Sequence, residues 1–337
     1  MLFKSVKNIL IVKPSALGDI VHSLPFLNAV KRGFPLARVD WVVAHGLHTF
    51  LEGHPLINRL WVIKKDQWKK VGNLKQTVRE INDLRRGMGA CGYDVSIDLS
   101  GLFRSGVISY FSKAGIRLGF KESDEGSPFF YTHKIHGSMD IHAIDRYLKI
   151  AQFMGCPTDE IAYPFAPYDL FPEICKGLPQ SYVVMSPSAG KPANRWHAHK
   201  FGELASKLSL PVVVISSAAE AYIADEVVFH SKGNAVSIAG KTGLKELLAV
   251  IGRADYFICN DTGPMHMAAA LNIPVFAIFG PANPVRTGPY GKIHTVIQKD
   301  LECSPCYRQK PCAHYRCMED LGVSQVLAVI QEKIKQS

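Results

Sequence analysis

The residues carrying the most chemistry in the least space are Asp261, Thr262, Gly263 and His266, in the run Asn-Asp-Thr-Gly-Pro-Met-His that starts at Asn260. An apolar run, Tyr256 to Cys259, precedes them, and a second, Pro274 to Phe279, follows. That order predicts strand, polar loop, helix opened by Pro264, and strand. Proline suits a first helical turn because its missing N–H would be unpaired there, and Asp261 or Thr262 can cap. Unpaired amides and the positive end of the helix dipole make such a start an anion site, with Gly263 letting a ligand approach the backbone. Asp261 as a plain cap and His266 as an ordinary surface histidine are the alternatives.

A second polar loop, SPSAGKPANRW, supplies Ser186, Ser188, Lys191 and Arg195. Small residues, backbone N–H groups and cations together suit a diphosphate. The chain has no GxGxxG between a predicted strand and a helix, its one such run, Gly87 to Gly92, following a predicted helix, and it has no GxxxxGK[ST], which speaks against a dinucleotide redox cofactor and a P-loop kinase. It also lacks an Asp-x-Asp pair of the kind that holds a divalent ion on nucleotide-sugar phosphates, so no metal or cofactor is expected.

Near the start, Asp19 stands at a strand-to-helix turn after the strand Asn8 to Val12, and a helix is predicted from about Ile20 to Arg32. A longer amphipathic helix is predicted from Asp66 to Arg86, its start crowded by Lys64, Lys65, Lys69 and Lys70. Cations there oppose the helix dipole, so a docked anion would explain them, as would a solvated basic face. Arg104 opens another helix after the strand Val95 to Leu99, and Arg117, Lys121 and His133 follow in loop-like sequence.

Stepping out to the elements, short apolar runs alternate with helical periodicity throughout, which argues α/β with mostly parallel sheets. At 337 residues two domains are expected. Five prolines between Gly155 and Pro179 mark the boundary, dividing the chain into 1–165, 166–320 and a C-terminal helix in 321–337 that is expected to pack back on the first domain. The net charge of +10 is uneven: residues 1–150 hold 22 Lys or Arg against 13 Asp or Glu, and the remainder 17 against 16. The basic first half implies an acidic partner. No apolar stretch reaches a membrane span and none resembles a secretory leader, so a cytoplasmic location with reduced thiols is expected. Cys303, Cys306, Cys312 and Cys317 form either a four-thiolate zinc site or a packed thiol-rich loop, while Cys259 belongs to a core strand.

KPSALGDIVHSLPFL, the SPSAG…NRW loop, and NDTGPMHMAAAL followed by FGPANP resemble, in order, the motifs of the glycosyltransferase family that contains the lipopolysaccharide heptosyltransferases. The resemblance implies a GT-B fold, two Rossmann-like domains facing across a cleft. It implies ADP-heptose as donor in the second domain and an anionic, lipid-linked Kdo acceptor in the first, with peripheral contact at the inner membrane. It makes Asp19 the base and places Thr262, Gly263 and His266 on the diphosphate, Asp261 on sugar hydroxyls and Glu220 near the nucleoside. Asn194-Arg195-Trp196 departs from the usual Lys-Arg-Trp, so Arg195 or Lys191 must supply the phosphate cation; Ser217 replaces an expected glycine. Lys64, Lys65, Lys69, Lys70 and Arg104 become acceptor contacts. VDWVVA and GLFRSG lean towards the enzyme adding the first heptose. Metal-independent, inverting transfer is expected. A GT-B-shaped nucleotide-sugar epimerase and a non-catalytic RNA binder compete with it, although the basic half has no interleaved stacking residues of the nucleic-acid type.

Overall fold

The computed structural model describes residues 2–68, 71–306, 312 and 314–336. The chain divides into two compact units, Met1–Pro167 and Tyr168–Ser337, with the division inside the proline-rich stretch. Each unit is built on a six-stranded parallel sheet.

In the first unit the strands are β1 (Asn8–Val12), β2 (Arg38–Ala44), β3 (Arg59–Ile63), β4 (Val95–Asp98), β5 (Ile116–Phe120) and β6 (His133–Ile135), in spatial order β3-β2-β1-β4-β5-β6. In the second they are β7 (Val183–Ser186), β8 (Val212–Val214), β9 (Ala235–Ser237), β10 (Tyr256–Asn260), β11 (Val275–Phe279) and β12 (Thr295–Gln298), in order β12-β11-β10-β7-β8-β9. The two orders are the same doubly wound pattern. Chain progression reverses between β1 and β4 and again between β10 and β7, and loops leaving the carboxyl ends of such neighbours diverge to opposite faces and open a crevice.

Central strands read as continuous apolar runs because helices cover both sides of the sheet. Ile9, Leu10, Ile11 and Val12 are all fully buried, each adding roughly 1.5–3 kcal/mol by burial. One face of the first sheet packs Leu10, Val12 and Val42 against Leu84 and Met88 of the Leu74–Gly89 helix and Ile108 of the Phe103–Phe111 helix. The core of the second unit joins Met185, Ile258 and Ile278 to Phe201 of the Ala198–Ala205 helix and to Val326 and Ile330 of the last helix, Val323–Gln336.

The buried stripe of the C-terminal helix lies in the second unit's own core. Differences from the expected elements have local causes. The expected helix from Ile20 to Arg32 breaks into Leu17–His22 and Leu24–Gly33, because Pro25 cannot continue the hydrogen-bond ladder. The helix expected from Asp66 starts at Leu74 after a 3-10 turn, Val71–Asn73, so Lys64 and Lys65 lie in the turn ahead of it and not on its dipole; Lys69 and Lys70 lie outside the described residues. The loop-like stretch carrying Arg117 and His133 forms β5 and the three-residue edge strand β6, which are too short and too mixed in polarity to give a clear periodicity.

Candidate functional site

In the second unit the crevice between β7 and β10 is bounded by the two polar loops. Asn260, the last residue of β10, is fully buried and joins them: its side-chain Nδ2 donates to the Pro187 carbonyl at 2.6 Å, and its Oδ1 accepts from the Trp196 N–H at 2.9 Å. Asn194 Nδ2 donates to Asp261 Oδ2 at 3.0 Å. Trp196, 1% exposed, anchors the loop from below by donating Nε1–H to the Leu321 carbonyl at 2.8 Å. A third loop, after β8, closes the group: the Ser188 and Ser216 hydroxyls lie 2.9 Å apart, and the Arg195 guanidinium ion-pairs with Glu220 while donating to the Ala189 carbonyl at 2.9 and 3.0 Å. Glu220 also accepts from Ser217 Oγ at 3.3 Å.

Ser186 and Ser188 are buried at the strand end, and Lys191 is exposed with no ion pair among the described residues. The helix Gly263–Ala270 begins where Pro264 predicts, with Thr262 as the N-cap residue but without a side-chain cap bond. Pro264 has no N–H and Met265 N donates to the Thr262 carbonyl at 3.2 Å, so this helix start offers fewer amides than an ordinary one. His266 is only 7% exposed, which is not the ordinary surface histidine of the alternative reading. Burial pushes the Asp261 carboxyl up to about 6, against the opposing pull of Asn194 and Lys191.

In the first unit Asp19 lies in the crevice between β1 and β4. It is the third residue of the Leu17–His22 helix, not the N-cap; Ala16 occupies the cap position and donates its N–H back to Asp19 Oδ2 at 2.9 Å. Asp19 Oδ1 meets Lys13 Nζ at 3.3 Å and accepts from the Tyr147 hydroxyl at 3.3 Å. The side chain is 41% exposed, so a hydroxyl can reach it. Lys13 Nζ also donates to the Leu99 carbonyl at 3.3 Å, which ties the β1 loop to the β4 loop.

The β4 loop is itself held by Asp98. This residue is fully buried and accepts from the Ser100 and Gly101 N–H groups at 2.8 and 3.1 Å and from the Tyr131 hydroxyl at 2.7 Å. Gly101 has φ +70°, and a Cβ there would stand 2.5 Å from Ser123 Oγ, so the turn requires glycine. Burial raises the Asp98 carboxyl above the usual range, only partly offset by its hydrogen bonds. Arg104 is half-buried in the first turn of the Phe103–Phe111 helix that this loop leads into. Lys65 Nζ donates to Ser15 Oγ at 2.6 Å in the loop after β1, while Lys64 pairs with Glu80 at 3.2 Å.

Residues 81–316 match the profile of glycosyltransferase family 9 (heptosyltransferase). The chain belongs to that family. Lipopolysaccharide heptosyltransferase 1 of Pseudomonas aeruginosa is 30% identical over 93% of this family 9 chain and 89% of its own length. Among solved structures, a family 9 glycosyltransferase from Veillonella parvula superposes with a TM-score of 0.81 at 22% identity, covering 98% of each chain. The E. coli heptosyltransferase WaaC with ADP gives a TM-score of 0.78 at 22% identity over 97% of this chain and 99% of that one. The fold is therefore the GT-B fold of these enzymes, as the motifs implied.

Four residues of the family 9 crevices were given no role from the sequence: Tyr147, which lies outside every motif, and Lys13, Asn194 and Asn260, which lie within motifs but whose partners are far away in the chain. Of the cysteines, Cys317 is buried, and after burial its thiol is raised by the nearby Cys306, Cys312 and Cys303. Among the described residues no group of three or more His, Cys, Asp or Glu is placed to hold a metal ion. A cavity of about 340 Å³ lined by Arg38, Asp40, Arg59 and Tyr93 lies at the opposite, amino edge of the first sheet and takes no part in either crevice.

Proposed function

We propose that the protein transfers heptose from ADP-heptose to the Kdo region of a lipopolysaccharide inner core, with inversion at the anomeric carbon. The observation carrying this is that the family's motifs end at the two switch-point crevices, a half-exposed carboxylate at one and a cation and helix start at the other. Asp19 takes the proton of the acceptor hydroxyl; the oxygen attacks the anomeric carbon, the bond to the diphosphate breaks, and ADP leaves. General-base help of this kind contributes about 10²- to 10⁴-fold.

Charge growing on the departing diphosphate is met by Lys191, His266 and the Thr262–Gly263 helix start, fixed donors acting where charge develops. Arg195 is already engaged by Glu220 and the Ala189 carbonyl, so it braces the loop and Lys191 is the better phosphate cation. Asp261 accepts from sugar hydroxyls, Ser186 and Ser188 line the donor loop, and Glu220 stands towards the nucleoside. Lys64, Lys65 and Arg104 face an anionic acceptor. Its lipid anchor implies work at the cytoplasmic face of the inner membrane by peripheral contact; among the described residues no helix is long and apolar enough to cross a membrane. The epimerase and RNA-binding alternatives have no comparable support, since the family match spans both polar loops of the second unit's crevice.

Calorimetry with ADP, UDP and GDP tests the donor half. ADP should bind tightest, and His266→Ala should weaken it by about 1–3 kcal/mol, as for loss of a charge-assisted hydrogen bond. Equal affinity for the three nucleotides removes the donor assignment.

A further inference from the structure

The first crevice contains a charge that the reaction above does not use. Lys13 is 4% exposed, at the end of β1. A buried ammonium costs several kcal/mol unless it is paired and hydrogen-bonded, so its surroundings must supply a reason for it. Three groups surround it: Asp19 Oδ1 at 3.3 Å, the Leu99 carbonyl at 3.3 Å, and the Tyr147 ring, whose centroid is 5.1 Å from Nζ. Tyr147, 3% exposed, comes from the Ala143–Phe153 helix and donates its hydroxyl to the same Asp19 oxygen.

We propose that Lys13 and Tyr147 are positioning residues for the catalytic base, holding Asp19 ionised and aimed through Oδ1 while the Ala16 N–H holds Oδ2. This rests on Asp19 being the base. Burial alone would lower the Lys13 ammonium, but Asp19 and Tyr147 outweigh it and keep it charged beyond the ordinary lysine range. Burial also holds the Tyr147 phenol above its usual range, so its O–H remains a donor. A fixed cation this close favours the carboxylate over the carboxylic acid. The clamp therefore trades some intrinsic basicity for a base that is always deprotonated and always in one orientation.

Other ionisable groups around this site come from every neighbouring element. His22, in the same helix as Asp19, stacks edge-on with His142 at 5.0 Å; Lys65 reaches Ser15; Arg146 lies over Phe120 beside Tyr147; Asp98 is sealed beneath Tyr131. All are common to parent and variants, so differences between profiles isolate Lys13 and Tyr147.

The test is kcat/KM against pH, with ADP-heptose and a de-acylated Kdo-terminated acceptor, for the parent, Lys13→Met, Tyr147→Phe and Asp19→Asn. Lys13→Met should move the acid limb up by about one pH unit, the effect of losing an opposite charge at this distance. Its rate well above the limb should stay within several-fold of the parent. Tyr147→Phe should move the limb the same way by less, and it decides the matter if Lys13→Met does not fold, since it removes only an O–H. Variants that lower the rate equally at every pH, with the limb unmoved, would reduce both residues to packing and overturn the clamp. Asp19→Asn turning over near the parent rate would instead remove the base assignment itself, so the two failures are distinguishable.

Discussion

Each unit places an aspartate at its switch-point crevice, Asp19 beyond the first strand of one sheet and Asp261 beyond the fourth strand of the other, and the two have opposite surroundings. Asp19, beside β1, has a buried lysine on one oxygen and a backbone N–H on the other. Asp261, just after β10, accepts from the Asn194 amide, and burial pushes it up to about 6. The ties across the crevices differ in the same sense: the charged Lys13 bridges to Leu99 in the first unit, the neutral Asn260 bridges Pro187 and Trp196 in the second. Carboxylates at the switch points of one sheet pattern thus differ in charge preference, a nearby cation and N–H favouring the ionised form at Asp19 and burial disfavouring it at Asp261.

The comparison breaks most visibly at Asp19. Asp19→Asn keeps the size of the side chain and can still accept from Ala16 N–H, but it cannot take a proton. We expect kcat to fall by about 10²- to 10⁴-fold with ADP affinity unchanged, because the proposed nucleotide site lies in the other unit. Steady-state kinetics beside ADP calorimetry checks this, and loss of both together would point to a folding defect.

Asp261 should show the reverse dependence on pH. Its folded value lies above the ordinary one, so its contribution to stability is fully present below about pH 4 and is lost as pH rises through about 6. Asp261→Asn stays neutral and should be more stable than the parent at pH 7.5 by about 1–3 kcal/mol, the advantage vanishing at pH 4. Thermal unfolding of the two proteins at both pH values reads this directly; equal differences at both would mean that the site solvates its carboxylate after all. Donor affinity should also weaken below pH 6, as the carboxylate that accepts sugar hydroxyls becomes protonated.

The smallest effect is expected at the basic turn. Reversing Lys64 and Lys65 to glutamate should raise the acceptor KM several-fold and flatten its salt dependence, with ADP affinity unaffected. Part of the cost belongs to the Glu80 and Ser15 contacts, which makes the salt dependence the decisive readout. Equal damage to donor and acceptor would confine these lysines to a structural role.

Much of this was legible in the chain. Apolar runs such as Asn8–Val12 and Tyr256–Cys259 are strands because both sheet faces are covered, and Pro264 starts its helix because it lacks the N–H that an interior position needs. Both are consequences of residues a few positions apart, and the sequence alone determined them, together with the alternation that makes two α/β units and the motif-bearing loops at strand ends. The partnerships came only with the tertiary structure. Tyr147 reaches Asp19 across 128 positions, and Asn194 reaches Asp261 across 67. Neither pair has a periodicity, because which loops meet depends on the order of strands in the sheet. The same distance explains why β5 and β6 read as loops and why the last helix found its partner in the second unit: short strands of mixed polarity and a single amphipathic stripe say that a surface must be covered, and only the assembled core decides by what.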